Sequence, residues 1–462
     1  MPRPLHADPA NEESFMHRRI HDFIAIGLGP FNLGLACLTD PIDDLDGLFL
    51  ERRPSFNWHP GLLLEEATLQ TPFLADLVTL ADPTSRFSFL NYLKSQGRLY
   101  NFYIREQFFL LRNEYNQYCQ WVTTQLRTLR FNRDVTRVDY DETAGCYQVH
   151  SRDTLSGELR IHRARRLVLG TGTEPMIPTC CREVRDHLVH SSAYLEQKAA
   201  LQAKPSITLV GSGQSAAEIY LDLLEGLDKH GYTLNWVTRS PRFFPLEYGK
   251  LTLEMTSPDY IDYFHALPRS TRDRLMREQK GLYKGINLEL INAIYDRLYT
   301  LSLNGPVDTN LLTCAALEQC HYNTANQSFE LTFGHTEQAR RFNHRTEGLI
   351  LATGYMPRAS DFLAPIEHRI RRDDAGRYVV GRYYSINAHD DLFVQNAELH
   401  THGLVAPDLG MACYRNACII RELTGREVYP VERSVTFQSF GAPDNSVFSP
   451  ERTCEARRPT DA

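Results

Sequence analysis

The chain has 462 residues, 50 basic and 57 acidic, for a formal net charge of −7, with 42% hydrophobic and 23% charged residues. That composition excludes a disordered chain and leaves room for two or three domains. No apolar run approaches the ~18 residues of a membrane span, and a mildly acidic balance with scattered basic residues leaves no footprint for nucleic acid.

The opening stretch, MPRPLHADPANEESFMHRR, has no apolar segment and does not read as a secretory signal, so residues 1–20 are expected to form a flexible arm. Four short apolar runs then end in glycine turns: DFIAIGLG (22–29), RLVLGTG (166–172), SITLVGSG (206–213) and GLILATG (348–354). Their lack of period-two alternation predicts parallel strands covered on both faces. Interleaved with helical stretches, they predict an α/β fold of two Rossmann-like dinucleotide-binding domains, one interrupting the other. Residues 250–303 are aromatic-rich and end in LELINAIYDRLYTLSL, which predicts a smaller helical substrate region lying against both domains. The expected boundaries are 21–190 and 341–430 for the first domain and 191–340 for the second, with 431–462 a polar surface tail. Ten cysteines without a CxxC pair argue against a disulfide scaffold or zinc site, so no metal is expected and the compartment is the reducing cytoplasm.

The first loop reads Gly27-Leu28-Gly29-Pro30-Phe31-Asn32. Gly27 and Gly29 allow a tight turn and close approach of backbone N–H groups to a pyrophosphate on a helix N-terminus, while Asn32 replaces the third glycine of the usual fingerprint. Glu51, after the strand-like LFL, is placed to hold a ribose hydroxyl. The second loop reads Gly211-Ser212-Gly213-Gln214-Ser215, and the next strand ends in Arg239 where a ribose carboxylate would otherwise stand. A guanidinium suits a 2′-phosphate, which favours NADPH over NADH; the plainer reading of Arg239 is a surface arginine. Two dinucleotide sites in one chain imply FAD at the first loop, NADPH at the second, and hydride passed between them. A redox pair is not evident, because Cys413 and Cys418 lie far from the first loop on a helical stretch and read as core.

His190–Tyr194 resembles the linker of flavin monooxygenases with two dinucleotide domains, although Val184 and Asp186 stand where phenylalanine and glycine are usual. GLGPFNLGLA (27–36), NWHPGLLLEEATLQTPFLADLVTLADPTSRFSFLNYL (57–93), HSSAY (190–194), GSGQSAAE (211–218), LATGY (351–355) and APDLGMACYRNA (406–417) together resemble the microbial N-hydroxylating monooxygenases of siderophore biosynthesis. The resemblance runs from about 22 to 430. It implies that NADPH reduces FAD, that oxygen adds at flavin C4a, and that the hydroperoxide oxidises a terminal primary amine. It also implies Gln70 near the flavin, Trp58 and His59 at the nicotinamide–flavin junction, and Thr353, Gly354 and Tyr355 joining the domains; their plainer readings are core packing and a strand end. A substrate-facing residue is implied within Leu282–Asn287, with Asn287 the choice, and a homo-oligomer, a tetramer, is implied as well.

Family members acting on ornithine or lysine carry a lysine in FLKDL that grips the substrate carboxylate; here the phrase is Phe73-Leu74-Ala75-Asp76-Leu77. A charge-assisted hydrogen bond is worth ~1.5–3 kcal/mol, so its loss disfavours an amino acid by at least ~10-fold. The expected substrate is a diamine, with O2 as co-substrate; the phrase FLADLVTLADPTS resembles the cadaverine-acting members of the family, which implies cadaverine ahead of putrescine. Lysine or ornithine held through Lys284 or Arg242 is the alternative, and a non-catalytic NADPH sensor a third reading. Asp76 and Glu66 read as solvated helix charges, which leaves the distal ammonium without a named partner. Because the reacting amine must be neutral and a free alkylammonium has a pKa near ~10.4, product formed per NADPH is expected to rise from neutral to mildly alkaline pH. A flat ratio between about pH 6.5 and 9 counts against this.

Overall fold

A computed structural model describes residues 19–358 and 360–442. Most of the expected N-terminal arm therefore lies outside the described residues, and Ile20 already opens the first strand. In the first sheet, Ile20–Ile26 runs parallel to Gly47–Leu50 on one side and to Leu159–Leu169 on the other. Leu129–Arg130 extends it beyond Gly47–Leu50. The long strand Leu159–Leu169 takes the antiparallel Cys146–Asp153 along its first half and the parallel Leu392–Val394 along its last residues. Every residue of Gly47–Leu50 is buried, which is why no polar–apolar alternation marked it.

The second sheet is wholly parallel, in the order Val189–His190, Gly348–Leu351, Ser206–Val210, Thr233–Val237, Thr309–Leu312. A three-stranded antiparallel sheet, Ala315–Asn323, Ser328–His335 and Arg340–Thr346, packs beside it. The boundary expected at 341 is thus misplaced. Residue 341 falls inside a strand of this hairpin array, and the GLILATG strand completes the second sheet rather than reopening the first. A buried parallel strand carries the same apolar signature whichever sheet it joins, so sequence pattern does not assign it. The two crossings between domains are themselves paired, Thr173–Pro175 antiparallel to Tyr355–Pro357.

The 250–303 stretch is divided between partners. The helix Leu288–Ser302 packs on Gln214–His230 within the second domain, whereas Pro258–Ala266 packs on Leu399–His402 and the 404–411 segment. Serine caps the second of these, Ser257 Oγ accepting from Tyr260 N. The described part of the tail is a strap rather than a loose end. Phe440 lies against Tyr260 with ring centroids 5.0 Å apart, and Glu254 accepts from the backbone N–H groups of Phe437 and Gln438 at 2.9 and 3.0 Å. Among the described residues no helix is long and apolar enough to cross a membrane, and the nine described cysteines are free.

Candidate active site

Both glycine loops leave the C-terminal ends of parallel strands, where open α/β sheets bind ligands; Gly211 to Ser215 and the Pro30–Phe31 end of the first loop line one cavity of about 2070 Å³, while Gly27 and Gly29 stand off its wall. Gly27 has φ +87°, and a Cβ there would lie 2.4 Å from Gly170 O. Gly211 has φ +154°, with Ala352 O 2.3 Å from where its Cβ would be. These glycines are demanded by the protein's own backbone. Gly29 differs: a Cβ would meet nothing within 4 Å, and the helix Pro30–Thr39 that follows has no side-chain cap. Its uncapped N–H groups suit an anionic ligand such as the FAD pyrophosphate.

Asn32 is buried and does not line the cavity. Its Nδ2 donates to Gly27 O at 2.7 Å, and its Oδ1 accepts from Gln395 at 2.7 Å, filling space left by the missing side chain of Gly170. The irregular fingerprint therefore braces the loop against the returning Leu392–Val394 strand. Glu51 is also turned to the loop, accepting from Leu28 N at 2.7 Å and from Arg53 N and Nε at 2.9 and 3.0 Å, and it lies behind the cavity wall.

Pro30, Trp58, His59, Gln70, Gly211 through Ser215, Arg239 and Thr353 through Tyr355 all line the cavity. Trp58 packs edge-on to Tyr115 with centroids 5.3 Å apart, so its core and cavity readings both hold. His59 adopts φ +48° beside it, and burial, then the Arg112 and Arg53 charges, push its imidazole down to about 4, leaving it neutral at physiological pH. Thr353 Oγ1 donates to Met176 O at 2.5 Å, while Gly354 O accepts from Met176 N at 2.9 Å and lies 3.1 Å from His190 Nε2. LATGY and HSSAY thus meet at the paired crossings.

Gln70 and Asn287, 217 positions apart, come together: Gln70 Nε2 donates to Asn287 Oδ1 at 3.0 Å. Gln70 Nε2 also lies 3.3 Å from Gln214 Oε1, which accepts from Asn287 N at 2.9 Å. Gln214 Nε2 donates to Glu218 Oε1 at 2.8 Å, and Arg112 grips both Glu218 oxygens at 2.7 Å. Burial pushes the Glu218 carboxyl up, while the permanently charged guanidinium opposes this; with donors on both oxygens the carboxylate is left acceptor-only. Tyr248 OH donates to Gln70 O at 2.8 Å and fixes the backbone below.

Around the second loop, Arg239, Lys280 and Lys284 share the wall with Ser212 and Ser240. Arg242 instead stacks on Phe244 and is absent from the cavity wall. Asp76 is not the solvated helix charge expected. It is buried and accepts from Val78 N, Thr79 N, Thr79 Oγ1 and Phe89 N at 2.6–2.9 Å, tying its own loop together. Glu66 is exposed.

Ala75 is buried against Gly410: a Cβ built on Gly410 would lie 3.8 Å from the Ala75 Cβ and 3.0 Å from Asp408 Oδ1. Asp408 stands between the cavity-lining Pro407 and Leu409. Its own side chain is not on the cavity wall; its Oδ1 accepts from Gly410 N at 2.6 Å, and among the described residues none donates to its Oδ2. Burial pushes its carboxyl above the usual range, against the Gly410 N–H and the Arg415 charge. Sequence reasoning passed over Asp408, although it stands inside the quoted APDLGMACYRNA motif. It also passed over Tyr248, Arg112 and Glu218, whose significance lies only in their contacts.

Two nucleotide-type loops over one shared cavity, joined by paired crossings, define a two-dinucleotide oxidoreductase. Residues 19–357 match the family described as L-lysine 6-monooxygenase/L-ornithine 5-monooxygenase, and the chain belongs to that family as a flavin-dependent N-hydroxylating monooxygenase. It is 53% identical over 428 residues to a putrescine N-hydroxylase from Shewanella oneidensis, covering 93% of this chain and 85% of the relative. It is 57% identical, with a TM-score of 0.91, to the FAD-bound crystal structure of the desferrioxamine-pathway cadaverine monooxygenase from Erwinia amylovora, covering 93% of this chain and all of that one. Identity to the L-lysine N6-monooxygenase of Escherichia coli is 31%, over 88% of this chain and 95% of that protein.

Proposed function

We propose that this enzyme N-hydroxylates one terminal amine of an aliphatic diamine, cadaverine ahead of putrescine, in hydroxamate siderophore assembly in the cytoplasm. The observation that carries the reading is the exchange of charge at one spot. Ala75 stands where the resemblance places a carboxylate-gripping lysine, and the acidic Asp408 lies near it with no donor to its Oδ2 among the described residues. A cationic chain end is recognised there and a carboxylate is repelled. The putrescine and cadaverine enzymes among its relatives support the same class.

The first loop, with Gly27, Gly29, Pro30 and the uncapped helix, fits the FAD pyrophosphate; Glu51 and Asn32 hold that loop in shape. The second loop, Gly211 to Ser215, fits NADPH, with Arg239 and its lysine neighbours opposite the 2′-phosphate. When bound, these cofactors supply the hydride and the activated oxygen. The protein's residues exclude water, orient the amine at Gln70, and hold the distal ammonium at Asp408. A partly apolar pocket favours the neutral amine that reacts. Selection of five carbons over four rests on ~0.8 kcal/mol per methylene. Assembly as a tetramer is part of the same proposal.

The test is hydroxylamine formation with FAD, NADPH and O2 and with cadaverine, putrescine, lysine and ornithine in parallel. Product from a diamine and not from its parent amino acid is the expected result. Product mainly from lysine or ornithine overturns the diamine reading. Peroxide alone with all four removes the substrate class.

A further inference from the structure

We infer that Glu218, clamped by Arg112, sets through Gln214 which end of the Gln70 amide faces the cavity, presenting Gln70 Oε1 there as the acceptor for an N–H of the reacting amine. The inference rests on reading this cavity as an amine hydroxylation site.

A glutamine amide is nearly symmetrical in shape, so only its partners decide which end points where. Here both ends of the relay are chemically unambiguous. Glu218 accepts only, because Arg112 donates to each of its oxygens at 2.7 Å. Gln214 must therefore turn Nε2 toward it, at 2.8 Å. The other end is the backbone N–H of Asn287, which donates only and takes Gln214 Oε1 at 2.9 Å. With Gln214 Oε1 and Asn287 Oδ1 both presented to it, Gln70 places Nε2 toward the relay at 3.3 and 3.0 Å. Its Oε1 is what remains for the cavity that Gln70 lines.

The polarity matters to the reaction. An acceptor takes an N–H of a neutral amine and leaves the nitrogen lone pair free to attack. A donor in the same place would bind that lone pair and protect it. Arg112 and Gln70 come from the first domain, and Gln214, Glu218 and Asn287 from the second, so the acceptor is set only when the two are docked. No bond is made or broken at these residues; they act by positioning.

The test uses the FAD-loaded enzyme and whichever amine the wild type hydroxylates best. Gln214→Met cuts the relay and keeps the Arg112–Glu218 pair; Glu218→Gln keeps the shape and makes both amide orientations available. Calorimetric affinity for the amine without NADPH is one readout, and hydroxylamine formed per NADPH consumed is the other. Both variants are expected to bind the amine about tenfold more weakly in the NADPH-free measurement, the worth of one hydrogen bond, and to divert NADPH to peroxide at saturating NADPH. If Glu218→Gln does not fold, Gln214→Met carries the test. Wild-type amine affinity and coupling in Gln214→Met overturn the inference and leave Glu218 a domain-joining pair. If only the choice of diamine is wrong, the same two measurements on lysine or ornithine still decide the relay.

Discussion

Asp408→Asn is expected to raise the KM for the diamine by about 10- to 100-fold and to leave the fold intact. The asparagine keeps an oxygen for Gly410 N and removes only the charge, so the loss reads the ~1.5–3 kcal/mol of a charge-assisted hydrogen bond. Ala75→Lys is expected to go further. Its ammonium, rooted beside Gly410, reaches Asp408 and consumes the carboxylate that the substrate would use. Diamine kcat/KM then falls by at least about 100-fold, while lysine or ornithine turnover rises from its own baseline. Steady-state hydroxylamine assays over the four amines, with thermal unfolding to confirm folding, check both variants. Unchanged diamine KM in Asp408→Asn removes Asp408 from the substrate site.

The second large effect separates two glycines of one motif. Gly27→Ala forces a Cβ to within 2.4 Å of Gly170 O at a φ of +87°. Backbone strain of this kind costs ~1–3 kcal/mol before the clash is counted, so the melting temperature should drop by ~2–6 °C or more even without FAD. Gly29→Ala meets no protein atom within 4 Å and sits at an ordinary φ of −92°. Its FAD-free protein should melt as the wild type does, and its affinity for FAD should fall about tenfold or more, since the proposed fit brings the pyrophosphate against the N–H groups beside this methyl. Melting curves with and without FAD, and flavin titration, distinguish the two. Equal destabilisation of both FAD-free variants would mean that Gly29 too serves the backbone.

Much of this molecule is legible locally. The glycine loops, their strands and the LATGY turn are short contiguous signals, and each has the form expected because a strand, a tight turn and a helix start require neighbours in sequence. The membership of the strand Gly348–Leu351 was misread for the opposite reason: its apolar run shows that it is buried, and its partners lie more than a hundred residues upstream. Asn32 looked like a lapse in the fingerprint until Gly170 and Gln395 supplied its reason. Asp76 looked solvated because an isolated acidic letter does not show the four donors that fold back on it.

The substrate class shows the same division. The missing lysine at 75 was visible in a single phrase and argued against a carboxylate. The residue proposed to act in its place was not visible, since Asp408 comes near Ala75 only through Gly410, from another part of the chain. Composition, strand type, both nucleotide loops and the family motifs follow from residues adjacent in the chain. The pairing of Gln70 with Asn287, the Arg112–Glu218 clamp and the approach of Asp408 and Ala75 to Gly410 were decided only by tertiary packing, because hydrogen bonds and charges act over ångströms in space and carry no record of distance along the sequence.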